Sequence, residues 1–222
     1  MTEHVLYEQA QNFIEANSKQ YNILLKDVKK ACEKVETIEK QNVKSVYSRG
    51  SKQQSSSELK ETWKLPKKLL KLRMESGARK VWKDLPDVIG VTVVVYYPDQ
   101  IKPILQQIID ELDGQNIKPD GEIRIKTEFG YHAAHAVVVS KQIHHSGLRC
   151  EIQCKTMLHD AWATKMHDLT YKPMGYLEPR LQLLMEAFGD TLERVERQSQ
   201  AIRDMIMEKW NVEGERRRLP GG

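Results

Sequence analysis

Polar side chains that could do chemistry alternate with apolar ones in the segment 150–155, CEIQCK. Successive side chains of a β-strand point to opposite faces of a sheet, so this pattern predicts one apolar and one polar face. The polar face carries a carboxylate, an amide and an ammonium, from Glu151, Gln153 and Lys155. Most such faces are simply solvated. A carboxylate beside a cation could also bind a metal ion and a phosphate.

Two upstream segments supply further polar groups. In EFGYHAAHAVVV, Tyr131 and His135 share one face of a predicted strand, and Gly130 permits a close approach of the backbone. In LPDVIGVTVVVYY, Asp87 stands at the entry of an apolar run that is typical of a central strand covered on both faces. Two carboxylates, an aromatic ring and several cations are the groups that a phosphoryl-transfer site needs.

A polar, Ser-rich loop with basic residues, SRGSKQQSSS, precedes these strands. Stretches of this composition are commonly linkers. Here a helix is expected to begin directly after the loop, with Ser57 as its N-cap. Arg49, Lys52 and Lys60, together with the amides at that helix start, could then hold a triphosphate.

In order and spacing, these elements resemble the RelA/SpoT nucleotidyltransferase domain, which is the synthetase domain of (p)ppGpp alarmone enzymes. The resemblance covers roughly residues 40–175, and no hydrolase-type His/Asp metal motif precedes it. Four groups of residues carry it: Ser48-Arg49 with Lys52 and Lys60; Asp87-Val88-Ile89-Gly90-Val91; Gly130-Tyr131 with His135; and Glu151-Ile152-Gln153 through Ala161-Trp162-Ala163 and Tyr171-Lys172.

The resemblance implies an enzyme that transfers pyrophosphate from ATP to the 3′-hydroxyl of GDP or GTP and releases AMP. It implies Mg²⁺ as cofactor, with Asp87 as main ligand, and Glu151 sharing the metal or orienting and deprotonating the attacking hydroxyl. The remaining roles are stacking on the acceptor base for Tyr131, hydrogen bonds near the acceptor for His135 and Gln153, and neutralisation of phosphates for Arg49, Lys52, Lys60 and Lys155.

One position departs from the family pattern. The residue five after the strand aspartate is typically an arginine, which the resemblance would place against the donor adenine, and here it is Thr92. Threonine has neither a cation nor a flat group to stack. Weak donor binding with surviving chemistry is therefore expected.

The alternation of helical and strand patterns predicts an α+β fold, with a mixed sheet of about five strands flanked by helices and a nucleotidyltransferase-like topology. The expected organisation is a helical extension over 1–40, a synthetase domain over 41–175, a C-terminal helix over 176–212 and a disordered tail over 213–222. Within it, we expect interruptions of the first helix at Asn17-Ser18 and of the 64–80 helix near Pro66 and Gly77.

Composition narrows the classes of protein. The chain has 222 residues, 40% hydrophobic and 30% charged, with a net charge of +4. No apolar run approaches the ~20 residues that span a bilayer. Three cysteines are too few for a disulfide framework, and a cytoplasmic location is the natural interpretation. Zinc is not favoured at His144, His145, Cys150 and Cys154, because paired ligand spacing is missing.

Two alternatives stay open. The basic segment 64–80 and Arg216–Arg218 are compatible with a toxin-type relative that pyrophosphorylates the 3′ end of tRNA. The chain could also be a catalytically weak nucleotide-binding module that acts through its long C-terminal helix. Either terminal helix could contribute to a homo-oligomer.

Overall fold

The fold is a mixed six-stranded sheet flanked by helices. It has the expected α+β class, with one strand more than the five or so that were predicted. The computed structural model describes residues 3–49, 58–77, 79–128, 131–171 and 178–218; for 3, 128, 131, 167–171 and 212–218 only the main chain is described. The elements are α1 (Glu3–Ile38), β1 (Val43–Ser48), α2 (Leu65–Ser76), β2 (Gly90–Val95), α3 (Ile101–Asp113), β3 (Ile117–Pro119), β4 (Arg124–Glu128), β5 (Tyr131–Ser140), β6 (Arg149–Thr156), α4 (Met157–Tyr171) and α5 (Pro179–Arg218).

The strand order is β1-β2-β6-β5, and both β3 and β4 pair with the outer side of β5. Strands β2 and β6 run parallel, and the other pairs are antiparallel. The ten residues of β5 make this arrangement possible, because β4 pairs with residues 131–135 and β3 with residues 138–140. The parallel β2–β6 pair at the centre brings two sequence-distant segments side by side.

One face of the sheet forms the hydrophobic core. Cys150, Ile152 and Cys154 of β6 are fully buried there, as their alternation predicted. They join one cluster with apolar residues of β2, β5, α1, α2 and α3. All three cysteines of the chain are buried free thiols. The opposite face therefore carries the polar residues of the same strands.

The first helix is continuous, so the expected interruption at Asn17-Ser18 is wrong. The Asn17 amide donates to the carbonyl oxygen of Phe13 (2.8 Å), and the Ser18 hydroxyl donates to that of Glu15 (3.3 Å). Both side chains bond back to the preceding turn and leave the helical main-chain ladder intact.

The segment before α2 also differs from expectation. Residues 58–61 are not helical, and helical structure begins with a short 3₁₀ turn at Thr62–Lys64. The expected cap, Ser57, lies outside the described residues. Pro66 occupies the first turn of α2, where a missing N–H costs nothing, so it starts this helix instead of breaking it. Gly77 ends the helix, as expected, with a φ of 107°.

The C-terminal helices begin at a polar cap. The Thr156 hydroxyl accepts a hydrogen bond from the main-chain N–H of His159 (3.4 Å), which is the contact that an N-cap residue makes. His159 itself is only 4% exposed, and its ring packs on that of His132. Helix α5 continues to Arg218, so the expectation of disorder is wrong for residues 213–218.

Among the helices in the described ranges, none combines the length and apolar character that crossing a bilayer requires.

Candidate active site

Asp87 lies in the turn that leads into β2, three residues before the strand begins, and it is only 7% exposed. Its carboxylate oxygen Oδ2 receives the ammonium of Lys60 (2.5 Å) and that of Lys68. The other oxygen, Oδ1, is buried without a hydrogen-bond partner among the described residues. An unsatisfied buried carboxylate oxygen is costly, and a bound cation would relieve that cost.

Arg49, directly after β1, forms hydrogen bonds with the main chain of this turn. Its guanidinium donates to the main-chain oxygens of Asp87 (3.3 Å) and Val88 (3.2 Å). The main-chain N–H of Lys60 also donates to the oxygen of Val88 (2.8 Å). The predicted phosphate-binding residues Arg49 and Lys60 are therefore both brought to Asp87, whereas Lys52 lies outside the described residues.

The two lysines at Asp87 have lowered pKa values. Burial lowers the pKa of Lys60, and burial together with the nearby charge of Lys60 lowers the pKa of Lys68. Each ammonium has lost part of its water, and the shared carboxylate oxygen replaces only some of it. An anionic ligand with several oxygens could offer both lysines better partners.

Glu151 lies on the polar face of β6 and is 7% exposed. Its Oε1 is 2.9 Å from Nδ1 of His135 and 3.3 Å from the ammonium of Lys126, and its Oε2 accepts from the Gln153 amide (2.8 Å). Burial alone would raise the pKa of Glu151, but the contacts with His135, Lys126 and Gln153 outweigh it and hold that pKa well below its usual range. Glu151 is therefore ionised at neutral pH.

Strand register explains why these groups meet. The main-chain N–H of Glu151 donates to the oxygen of Ile89 (3.2 Å), and Gly90 pairs with Glu151 across the parallel strands. Glu151 thus lies beside the point where the Asp87 turn enters the sheet. On the same face, register aligns a row of side chains across four strands: Tyr47, Thr92, Gln153 and His135.

Lys155 has a different environment from the other predicted cations. It is 5% exposed, and its ammonium lies 3.4 Å from Oδ1 of Asp160 on α4. The Tyr47 hydroxyl donates to the same carboxylate oxygen. The Asp160 carboxylate therefore links α4 to both β6 and β1. The expected role of Lys155 at a phosphate stays a prediction.

For Tyr131 the structure describes only the main chain, which pairs with Glu128 at the start of β5. Two residues that contact the carboxylates were not assigned to the site from sequence, Lys68 and Lys126. Lys126 was recognisable as part of the polar face of β4. Lys68 was one basic residue among several in the 64–80 segment, and only its place one turn into α2 singles it out.

The carboxylates of Asp87 and Glu151 fit a Mg²⁺ site completed by water and substrate better than a metal site whose ligands are all protein side chains. Within the described ranges, no group of three or more His, Cys, Asp and Glu side chains could hold a metal ion. Mg²⁺ commonly takes one or two carboxylates and completes its shell with water and substrate phosphates. Asp87, through its unsatisfied Oδ1, and the ionised Glu151 are donors of the right kind.

Solved structures of low sequence identity share this fold. Small alarmone synthetase 1 from Bacillus subtilis bound to its product pppGpp matches with a TM-score of 0.70 at 18% identity, over 90% of this chain and 99% of that one. A GTP pyrophosphokinase family protein from Streptococcus pneumoniae matches with a TM-score of 0.64 at 20% identity, over 90% and 95%.

Sequence comparisons agree with the structural ones. GTP pyrophosphokinase YjbM from Bacillus subtilis (strain 168) is 24% identical over 127 residues, which is 56% of this chain and 60% of that protein. The chain therefore aligns with less than two thirds of this relative's length. The family model described as the region found in RelA / SpoT proteins matches residues 41–176, more than half of the chain. The chain belongs to the RelA/SpoT family.

Proposed function

We propose that the protein is a pyrophosphokinase that transfers pyrophosphate from ATP to the 3′-hydroxyl of GDP or GTP. The observation that carries the proposal is the buried, unsatisfied Oδ1 of Asp87 next to two lysines and close along the sheet to the ionised Glu151. Relatives named as a GTP pyrophosphokinase and as a synthetase bound to pppGpp support the reaction class.

Donor binding would replace contacts that exist in the unliganded protein. We propose that the triphosphate draws Lys60 and Lys68 away from Asp87, so that the lysines neutralise phosphate oxygens and the aspartate becomes available to Mg²⁺. When bound, Mg²⁺ would supply charge neutralisation at the transferring phosphates. Arg49 and Lys52 would complete the donor site, and Arg49 would keep the turn at Asp87 in place through its two main-chain hydrogen bonds.

The acceptor would lie on the polar face of β5 and β6. Glu151 would accept a hydrogen bond from the attacking 3′-hydroxyl and hold it in line with the β-phosphorus, with His135 and Gln153 fixing the carboxylate. Because its pKa is held low, Glu151 would be a weak proton acceptor. Orienting the hydroxyl and sharing the metal suit it better than retaining the proton of the hydroxyl. Tyr131 would stack on the guanine base.

The acceptor assay tests this proposal. The protein is incubated with Mg²⁺, ATP labelled in its β- and γ-phosphates, and one acceptor at a time: GDP, GTP or deacylated tRNA. Label on GDP or GTP, with release of AMP, is the expected result. Label on tRNA would identify the toxin-type relative instead. No transfer despite ATP binding would identify a nucleotide-binding module.

A further inference from the structure

An exposed tryptophan lies in the segment that brings lysines to Asp87. Trp63 is 60% exposed and occupies the short 3₁₀ turn at Thr62–Lys64. Lys60, three residues earlier, and Lys68, five residues later, both contact the Asp87 carboxylate. The turn is therefore attached on both sides to the candidate donor site.

The other tryptophans have different surroundings. Trp82 packs against the core and stacks on Phe13, and Trp162 contacts Phe188 with ring centroids 4.3 Å apart. Trp210 is 64% exposed but lies on α5, outside the segment that carries the site. Among the described tryptophans, Trp63 alone combines an exposed ring with proximity in the chain to the Asp87 lysines.

The indole of Trp63 is held by its own neighbours. The Lys64 ammonium lies over the ring, 4.9 Å from its centroid, and forms an ion pair with Glu61. A cation over one side of an aromatic ring fixes the ring's orientation and leaves its exposed surface for a second flat group. Exposing an indole to water is unfavourable, and a stacked base would remove much of that surface from water.

We propose that Trp63 stacks on the purine base of the ATP donor. The inference rests on the proposed function and deepens it by naming the group that holds the base. Three residues of chain span at most about 11 Å, so a nucleotide whose phosphates lie at Lys60 and Lys68 can bring its base to Trp63. Stacking supplies affinity without hydrogen bonds to the base, so selectivity for adenine over other purines should be weak.

The test is a binding titration without an acceptor, using ATP with Mg²⁺ and inorganic tripolyphosphate with Mg²⁺ as separate probes. Calorimetry and tryptophan fluorescence are recorded for the wild type, Trp63→Ala, Trp63→Phe and Trp210→Ala. Trp210→Ala is the matched control, because it removes an equally exposed indole from another part of the chain.

We expect Trp63→Ala to weaken ATP about tenfold and to leave tripolyphosphate binding unchanged. Trp63→Phe keeps a ring and should recover most of the affinity, while losing the fluorescence quenching that we expect ATP to cause in the wild type. Trp210→Ala should behave as the wild type.

Equal ATP affinity in Trp63→Ala and the wild type would overturn the inference. So would an equal loss of ATP and tripolyphosphate affinity, because Trp63 would then only shape the lysine segment. These outcomes are separate from failure of the proposed function, which is decided by the destination of the label in the acceptor assay.

Discussion

The main-chain N–H of Glu151 donates a hydrogen bond to the carbonyl oxygen of Ile89, at 3.2 Å. This bond sits at the start of the parallel β2–β6 pair and joins two segments more than 60 residues apart in the sequence. It places the acidic residue of β6 beside the turn that carries Asp87. The relative position of the two carboxylates thus depends on main-chain pairing instead of on their own side chains.

Gly90 allows β2 to approach β6 closely, because it has no side chain at the position that pairs with Glu151. A Cβ at Gly90 would lie 3.3 Å from the main-chain oxygen of Glu151, which cannot rotate away. We expect Gly90→Ala to shift β2 from β6, to destabilise the fold by about 1 kcal/mol and to lower transfer by a larger factor. Thermal unfolding and turnover measured together check this.

The control for that variant is Gly114→Ala, at the end of α3, where the nearest atom is a main-chain oxygen at 3.5 Å. It should keep full turnover. If Gly90→Ala loses stability and activity no more than Gly114→Ala does, close approach of these strands is not what aligns the carboxylates.

Thr92 lies in the polar row between Tyr47 and Gln153, at the position where the resemblance led us to expect an arginine. Thr92→Arg should tighten ATP about tenfold, because a stacked, partly screened guanidinium contributes ~1–2 kcal/mol. Calorimetric titration of ATP into wild type and variant measures it. Tight binding by the wild type with no gain in the variant would show that the donor does not need a cation here.

Tyr131→Ala should weaken the acceptor far more than ATP. A lost base stack is worth on the order of 1–3 kcal/mol. Binding of GDP and of ATP to this variant is measured separately by calorimetry. Equal losses for both nucleotides would instead mean that Tyr131 supports the fold.

Glu196 of α5 gives a stability prediction. It is 3% exposed, and its Oε1 is buried without a hydrogen-bond partner among the described residues. Burial raises its pKa above the ordinary value of 4.5. Between the unfolded and folded pKa values, the unfolded state binds fewer protons, so the free energy of unfolding falls as pH rises through that window.

Glu196→Gln keeps an acceptor oxygen but removes the titration. Relative to the wild type, it should therefore gain melting temperature as pH rises from 4 to 7. Glu186→Gln, at an exposed position of the same helix, should show no such trend. A difference between Glu196→Gln and wild type that does not change with pH would contradict the assignment.

Local patterns predicted much of this structure. The alternation of Cys150 and Cys154 with Glu151 and Gln153 predicted which face of β6 is buried, because a strand's period is two. The Thr156 cap is also a local feature, since its hydrogen bond closes within three residues.

Contacts between distant segments could not be predicted in this way. Lys68 meets Asp87 only because α2 is folded against the turn, and Glu196 is buried only because α5 packs against other elements. The three-residue β3 is too short for a periodic signal, and it exists because the end of β5 offers it a partner. Such features depend on tertiary structure, which one sequence pattern does not contain.

The most direct test of the central claim is the turnover of Glu151→Gln in the label-transfer assay with Mg²⁺, beside Asp87→Asn and the exposed control Glu186→Gln. The amide keeps the volume of the carboxylate but loses the charge that orients the hydroxyl or binds metal. We predict that Glu151→Gln remains folded, as judged by its melting temperature, and loses at least about 100-fold in turnover. Near-full turnover of folded Glu151→Gln would contradict the account.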